Sequence, residues 1–288
     1  MMDRRRTPQV HQATVLRTEE VTPHMIRVVM GGGTLVDFGA GAFTDQYLKL
    51  IFPQPGVEYP APLDMAAVRR DMPREQWPRI RTYTVRLWEP ATRELTIDFV
   101  YHGDEGLAGP WAANARPGDP VAFLGPHGAY APSAEADWHL LAGDESALPA
   151  IAASVEQLPD GAAARVFIEV AGAEEEQKLA TSGSAEVVWV HRSGRVVGEA
   201  LVDAVRALDF PAGTVQAFVH GEATFVKELR HLLRVERGIA REQLSISGYW
   251  RRGSDEDGWQ SSKREWNQRV DEDEVRALAG SNPRGSAL

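Results

Sequence analysis

The sequence predicts two domains of different construction: an antiparallel six-stranded β-barrel, then an α/β domain built on a mostly parallel sheet. Three observations carry this. Up to about Gly128, short segments rich in Val, Ile, Thr and aromatics recur between turn residues, the rhythm of a small barrel. Beyond the polar, turn-rich GAYAPSAEAD of residues 128–137, the pattern becomes strand, loop, helix, as in a parallel sheet covered on both faces. A chain of 288 residues is long enough for two ordinary cores. The domains are expected at 1–132 and 133–288.

In chain order, the barrel strands are expected in ATVLRTEEV, HMIRVVM, QYLKLIF, RTYTVRLW, ELTIDFVYH and PVAFLG. The GGG of 31–33, EPATRE of 89–94 and ARPGD of 115–119 supply turns between them. The Pro-bounded PLDMAAVRRDMP and the stretch LAGPWAANA read as helical or irregular. In the second domain, WHLLAG, ARVFIEVAG, EVVWVHR, TVQAFVHGE and QLSISGYW read as strands. LPAIAASVEQL places Leu148, Ile151, Ala152, Val155 and Leu158 on one helical face. EALVDAVRAL and TFVKELRHLL are further helices, the latter with Phe225, Leu229, Leu232 and Leu233 at helical spacing. SDEDGW and SSKREWNQRVDEDEVRALAG read as a solvated helix with flexible ends.

Composition narrows the chemistry. A formal charge of −10 argues against nucleic acid as the main partner, because duplex binding needs a basic face. There is no cysteine, which removes disulfides, thiol nucleophiles and Cys-ligated zinc or iron–sulfur clusters together. The histidines are scattered without HExxH-type spacing, so no metal held by the protein itself is expected. MMDRRRTPQ has no apolar segment behind it and does not read as a secretory signal, and no run is long enough for a membrane span. The expected location is the cytoplasm.

Within the barrel, RIRTYTVR (79–86) does not read as an ordinary half-buried strand. Alternation puts Arg79, Arg81, Tyr83 and Val85 on one face and Ile80, Thr82, Thr84 and Arg86 on the other. Neither face is cleanly apolar. A flat aromatic beside guanidinium and hydroxyl groups suits something planar and anionic. In the second domain the strands end in Gly or polar residues: Gly143-Asp144, Gly172, His191-Arg192, Gly221-Glu222 and Gly248-Tyr249. Ligands on open α/β sheets bind outside the carboxyl ends of strands, although strands also simply need turns. No GxGxxG fingerprint is present.

A barrel followed by an α/β domain is the layout of the ferredoxin–NADP reductase-like flavoproteins, and the motifs sharpen the match. RTYTVR resembles their R-x-Y-S/T flavin strand. DFVYHGDEGLAGPWAANARPGDPVAFLGPHG resembles the second flavin segment of one branch, the siderophore-interacting proteins. Stretches similar to that branch's in DQYLKLIF, AGDESALPAI and GYWRRG follow in the expected order, so the resemblance runs from about Val10 to Trp259. It implies FAD contacts from Arg81 to the pyrophosphate, from Tyr83 to the isoalloxazine and from Thr82 and Thr84 beside it. It extends them to Asp98, Val100 and His102, the last near adenine or ribose unless it is only an exposed loop histidine. Gly106, Ala108, Gly109, Pro110 and Ala113 complete that segment, where small residues admit a close backbone approach and a helix start offers N–H groups.

In the second domain, Asp144, Ser146 and Ala147 lie in the family's GDE-S/T-A-x-P turn beside flavin and nicotinamide; Asp or Ser there also suits helix capping. Arg192, Gly221 and Glu222, with His191, occupy positions expected to face NADPH or NADH, and an arginine there would favour a 2′-phosphate unless it is plain surface charge. Lys49, Trp250, Arg251 and Arg252 match segments whose basic side chains attract anionic iron chelates. The implied activity is that of an FAD-dependent ferric-siderophore reductase. Hydride passes from NAD(P)H to FAD, then single electrons reach siderophore-bound Fe(III), and Fe(II) leaves. No nucleophile or acid–base catalyst is required. Reduced ferredoxin is an alternative donor. A related reductase with a protein or free-flavin acceptor, or a non-catalytic siderophore-binding protein, are the alternative readings.

Overall fold

The structure is a computed structural model that describes residues 10–181 and 183–280. The chain divides into two compact units, one up to Ala129 and one from Tyr130.

In the first unit the strands are β1 (His11–Thr22), β2 (Met25–Gly31), β3 (Tyr47–Phe52), β4 (Arg79–Thr84), β5 (Leu87–Glu89), β6 (Glu94–Val100) and β7 (Pro120–His127). Helices α1 (Met65–Asp71) and α2 (Ala108–Asn114) interrupt them. The Asp64 carboxylate caps α1 by accepting from the Ala66 and Ala67 N–H groups. The sheet is antiparallel, in the order β4-β3-β7-β1-β2-β6-β5. It holds seven strands rather than the expected six because RTYTVRLW is two strands, not one. Arg79–Thr84 pairs with β3, whereas Leu87–Glu89 pairs with β6. Val85 and Arg86 join them, donating N–H to Gln46 O at 2.6 Å and Thr96 O at 2.9 Å. One bent run therefore links the two outer edges of the sheet, and the Tyr83 ring lies 4.4 Å from that of Phe99 across the curl. The enclosed core includes Val28, Met30, Leu48, Leu50, Leu95, Ile97, Phe99 and Phe123.

The second unit contains β8 (Trp138–Gly143), α3 (Leu148–Glu156), β9 (Ala163–Val170), β10 (Ser184–His191), α4 (Glu199–Arg206), β11 (Val215–Glu222), α5 (Ala223–His231), β12 (Leu244–Trp250) and α6 (Glu256–Gly280). Its five strands are all parallel, in the order β10-β9-β8-β11-β12. The chain builds outward from β8 to β10, then returns to place β11 on the other side of β8. The strand order thus reverses between β8 and β11, the place where such sheets bind ligands. β8 is wholly buried, and so is α3 from Leu148 to Val155 rather than along one stripe. Close approach there depends on Gly143, where a Cβ would lie 2.6 Å from both the Ala147 Cβ and the His220 carbonyl oxygen.

The C-terminal segment is the largely exposed helix expected, but it is docked through a few residues. Trp259 and Val270 are buried, and the Glu274 carboxylate accepts from both Arg230 Nε (2.6 Å) and Arg234 Nε (2.9 Å). The polar run conceals this because its contacts are mostly ionic.

Gly143→Ala should lower stability by about 1–3 kcal/mol, the usual cost of overpacking against atoms that cannot yield. Thermal unfolding should show a lower Tm, and an unchanged Tm would mean that the β8–α3 turn can relax.

Candidate functional site

The flavin strand predicted from sequence is β4, and its register decides what each side chain can meet. Arg81 pairs with Leu50 and Tyr83 with Leu48, both core residues, so Arg81 and Tyr83 lie on the inner face. Thr82 pairs with Lys49 on the opposite face, where both are exposed. Arg81 and Tyr83 are half-buried, whereas Thr84 is buried. The Arg81 guanidinium donates to Ile80 O at 2.8 Å. Phe99 then links Tyr83 to Trp111 of α2, whose ring centroid lies 5.5 Å away. Gly109 brings α2 against β6, because a Cβ there would sit 2.9 Å from Val100 O.

Arg81, Tyr83, Val100 and Gly109 are thus neighbours within one unit. Ala108 is buried and Pro110 half-buried, while Gly106 and Ala113 are exposed. His102 is exposed, 5.7 Å from the His24 ring. Asp98 has a different setting from the one expected. Its buried carboxylate accepts from Arg27 Nε (2.7 Å) and Nη2 (2.8 Å), with Arg86 at 3.9 Å, so it holds the β2–β6 pair.

In the second unit, Asp144 follows β8 and is fully buried. Oδ1 accepts from the Ser146 N–H and hydroxyl; Oδ2 accepts from the Glu222 N–H (2.9 Å) and the Trp250 indole (2.8 Å). One carboxylate thereby ties the ends of β8, β11 and β12. Ala147 is buried behind this turn. Gly221 has φ 138°, and a Cβ there would lie 2.7 Å from Asp144 Oδ1, so glycine is required. Glu222 is buried, accepts from the Thr224 N–H at 2.6 Å to cap α5, and accepts from the Arg252 N–H at 3.1 Å. Arg251 and Arg252 are exposed, and Trp250 is 36% exposed.

Arg192 stands at the end of β10. Its Nη2 donates to both oxygens of Glu145 at 2.7 Å and its Nε to Glu169 at 2.9 Å. Glu169 is wholly buried and also accepts from the N–H groups of Gly198 (2.9 Å) and Leu201 (3.2 Å), capping α4. His191 pairs with Glu176 at 2.8 Å. Breaking a buried pair such as Arg192–Glu169 typically costs about 3–5 kcal/mol, because the remaining charge is left without a partner. His220 is also buried, stacked 3.8 Å from Phe218, and burial followed by the Lys263 charge drives its imidazole down to about 3, so it is neutral at neutral pH.

Comparison with known proteins agrees with this layout. Residues 14–130 match the siderophore-interacting FAD-binding domain, and residues 136–253 match siderophore-interacting protein. The ferric vibriobactin reductase ViuB of Vibrio cholerae is 32% identical over 255 residues, covering 86% of this chain and 92% of that protein. The chain belongs to the siderophore-interacting protein family. A second relative, the NADPH-dependent ferric-chelate reductase of Escherichia coli, is 29% identical over 244 residues, covering 83% of this chain and 92% of that protein. The solved structure of a siderophore utilization protein from T. fusca superposes with TM-score 0.74 at 38% identity, covering 86% of this chain and 95% of that one. The protein is an oxidoreductase of this FAD-binding family.

The sequence reading missed the partners that fix these residues: Arg27 and Arg86 for Asp98, and Glu145 and Glu169 for Arg192. One signal was available. Glu169 interrupts the otherwise apolar run VFIEV, and a carboxylate in a buried strand demands a cation or several N–H donors.

Burial, and then the Glu145 charge, push the Asp144 carboxyl up to about 6 against its hydrogen bonds. The folded protein therefore holds this proton more tightly than the unfolded chain, whose value is 3.8. The resulting stabilisation is fully present below the unfolded value and is lost as pH rises through about 6. The span corresponds to about 3 kcal/mol. Asp144→Asn should remove it, so urea unfolding between about pH 4 and pH 7 should give curves for variant and wild type whose difference changes by that amount. Parallel curves would show that Asp144 titrates as an ordinary carboxyl.

Proposed function

We propose that the protein is an NAD(P)H:ferric-siderophore reductase. The observation that carries this is the juxtaposition of Arg81 and Tyr83 on the inner face of β4, in the unit that matches the siderophore-interacting FAD-binding domain. A guanidinium fork suits pyrophosphate oxygens, and a half-buried phenol ring suits the edge of a flat heterocycle. Thr82 and Thr84 add hydroxyl donors on the same strand, and the Val100–Ala113 segment brings backbone close through Gly109. The donor set therefore fits FAD. Bound FAD supplies the conversion from a two-electron donor to one-electron steps.

The chain's own residues bind and orient. The Asp144–Ala147 turn, with Gly221 and Glu222, shapes the end of the second sheet for a nicotinamide donor. Lys49 on the exposed face of β3 in the first unit, and separately Arg251 after β12 in the second, each supply local positive charge against the formal −10, which suits an anionic ferric siderophore. The siderophore's iron is the substrate, and its release follows from weaker oxygen chelation after reduction. Support for the acceptor comes from the names of the Vibrio cholerae and Escherichia coli relatives.

Steady-state oxidation of NADH or NADPH, with and without a ferric siderophore, tests the reading. Siderophore-dependent turnover with Fe(II) trapped by a chromogenic chelator is expected. Turnover with free flavin alone would favour a flavin reductase, and binding without turnover a siderophore carrier. Arg81→Ala should weaken FAD by roughly ten- to a hundredfold, from a charge-assisted contact worth about 1.5–3 kcal/mol; equilibrium dialysis with FAD checks this, and unchanged affinity removes Arg81 from the site.

Replacing Lys49 or Arg251 by alanine should raise the KM for an anionic ferric siderophore while sparing flavin reduction. Added salt should bring the wild type toward the variants, since the Debye length falls from about 10 Å at 0.1 M to about 3 Å at 1 M. Stopped-flow measurement of each half-reaction separates the two effects; an unaltered oxidative half-reaction would make these residues ordinary surface charge.

A further inference from the structure

The position of Arg192 invites a role as a phosphate ligand, but the structure gives it other work. Its side chain donates to two carboxylates of its own unit, Glu145 and Glu169. Those carboxylates are buried, so swinging the guanidinium toward a phosphate would leave both without their cation. The other arginine of the β10–α4 loop, Arg195, is paired with Asp203 at 2.7 Å and Glu199 at 3.5 Å.

Beside this loop, at the carboxyl end of β11, lies a cavity of about 160 Å³. Gly198, Glu199, Glu222, Thr224, Glu228 and Arg252 line its polar side. Three glutamates and one arginine thus line it, with Glu222 engaged in capping α5 and Glu199 and Glu228 exposed. A dianionic phosphate in this space would meet like charge, which disfavours the wrong ligand strongly. A ribose with both hydroxyls free would meet acceptors, and carboxylates accept only. The same chemical logic separates NAD sites, where an acid accepts from the ribose 2′-hydroxyl, from NADP sites, where an arginine takes the phosphate.

Resting on the reductase reading given above, we infer that Arg192 is a positioning residue and that this cavity selects a nicotinamide donor with a free ribose 2′-hydroxyl, NADH over NADPH. Arg192 joins the Asp144–Ser146 turn, through Glu145, to the loop that opens α4, through Glu169. The donor's ribose lies against Glu199 and Glu228, and the selectivity is built by repulsion of the phosphate.

Titration calorimetry of the FAD-loaded protein with NAD⁺ and NADP⁺, the non-reacting forms, reads this directly, beside stopped-flow flavin reduction by NADH and NADPH. NAD⁺ should bind at least about tenfold more tightly. The variant Glu199→Gln/Glu228→Gln should tighten NADP⁺ by about tenfold and weaken NAD⁺, so that the preference between the two narrows or reverses. Arg192→Lys, which keeps a cation beside both carboxylates, should weaken the two nucleotides by the same factor.

Tighter NADP⁺ binding by the wild type overturns the inference, as does a loss confined to NADP⁺ in Arg192→Lys. If both donors reduce the flavin but NADPH is preferred, the selectivity fails and the reductase reading stands. If NAD⁺ is preferred yet neither donor reduces the flavin, the selectivity stands and the donor half of the reductase reading fails. If neither nucleotide binds, the cavity assignment is overturned.

Discussion

The Arg192 guanidinium sits between Glu145 and Glu169, two carboxylates with almost no access to water, and the second unit is arranged around satisfying them. Neither acid could remain ionised there alone at an acceptable cost. Glu169 is answered by Arg192 and by the N–H groups that begin α4. Glu145 is answered by Arg192, which donates to both of its oxygens. The pair fixes where α4 starts and where the turn after β8 must lie. One residue further back, Asp144 gathers donors from β11 and β12. The carboxyl ends of all five strands are thus held by ionic and hydrogen-bonded contacts, while the middle of each central strand is held by apolar packing.

The first unit solves a different problem. A sheet of antiparallel strands leaves two edges with unpaired backbone groups. Here one run, Arg79–Glu89, pairs with β3 over its first part and β6 over its last. The bend at Val85–Arg86 that permits this also fixes the orientation of the residues just before it. Tyr83 is pressed to Phe99, and Arg81 is drawn to the inner face beside Leu50. The position of the flavin strand and the curl of the sheet are one constraint. Arg27 and Asp98 lock the neighbouring β2–β6 pair on the face opposite the core residues Val28 and Ile97.

Charge is distributed accordingly. The chain is acidic overall, and many of its arginines are matched to carboxylates in their own unit: Arg27, Arg192, Arg195, Arg230 and Arg234 all have such partners. Polar residues in the C-terminal segment read as solvated because sequence gives no sign of which acid meets which base. In the structure, Glu274 between Arg230 and Arg234 brings α6 onto α5. The same ambiguity applied to Arg192, whose position alone could mean a phosphate ligand, a surface charge or a buried tie.

The sequence by itself determined the two rhythms, because side-chain periodicity is a local property: period two through QYLKLIF and ELTIDFVYH, strand-then-helix from WHLLAG onward. It also determined the motif order that marks the family, since RTYTVR and GDESALP are contiguous stretches. Tertiary structure alone decided the division of RTYTVRLW into two strands, because pairing partners lie far away in the chain. It alone decided that Asp98 holds Arg27 and that Arg192 holds Glu145 and Glu169. These are contacts across 71, 47 and 23 residues of chain, made obligatory by burial, and burial is known only when the chain has folded.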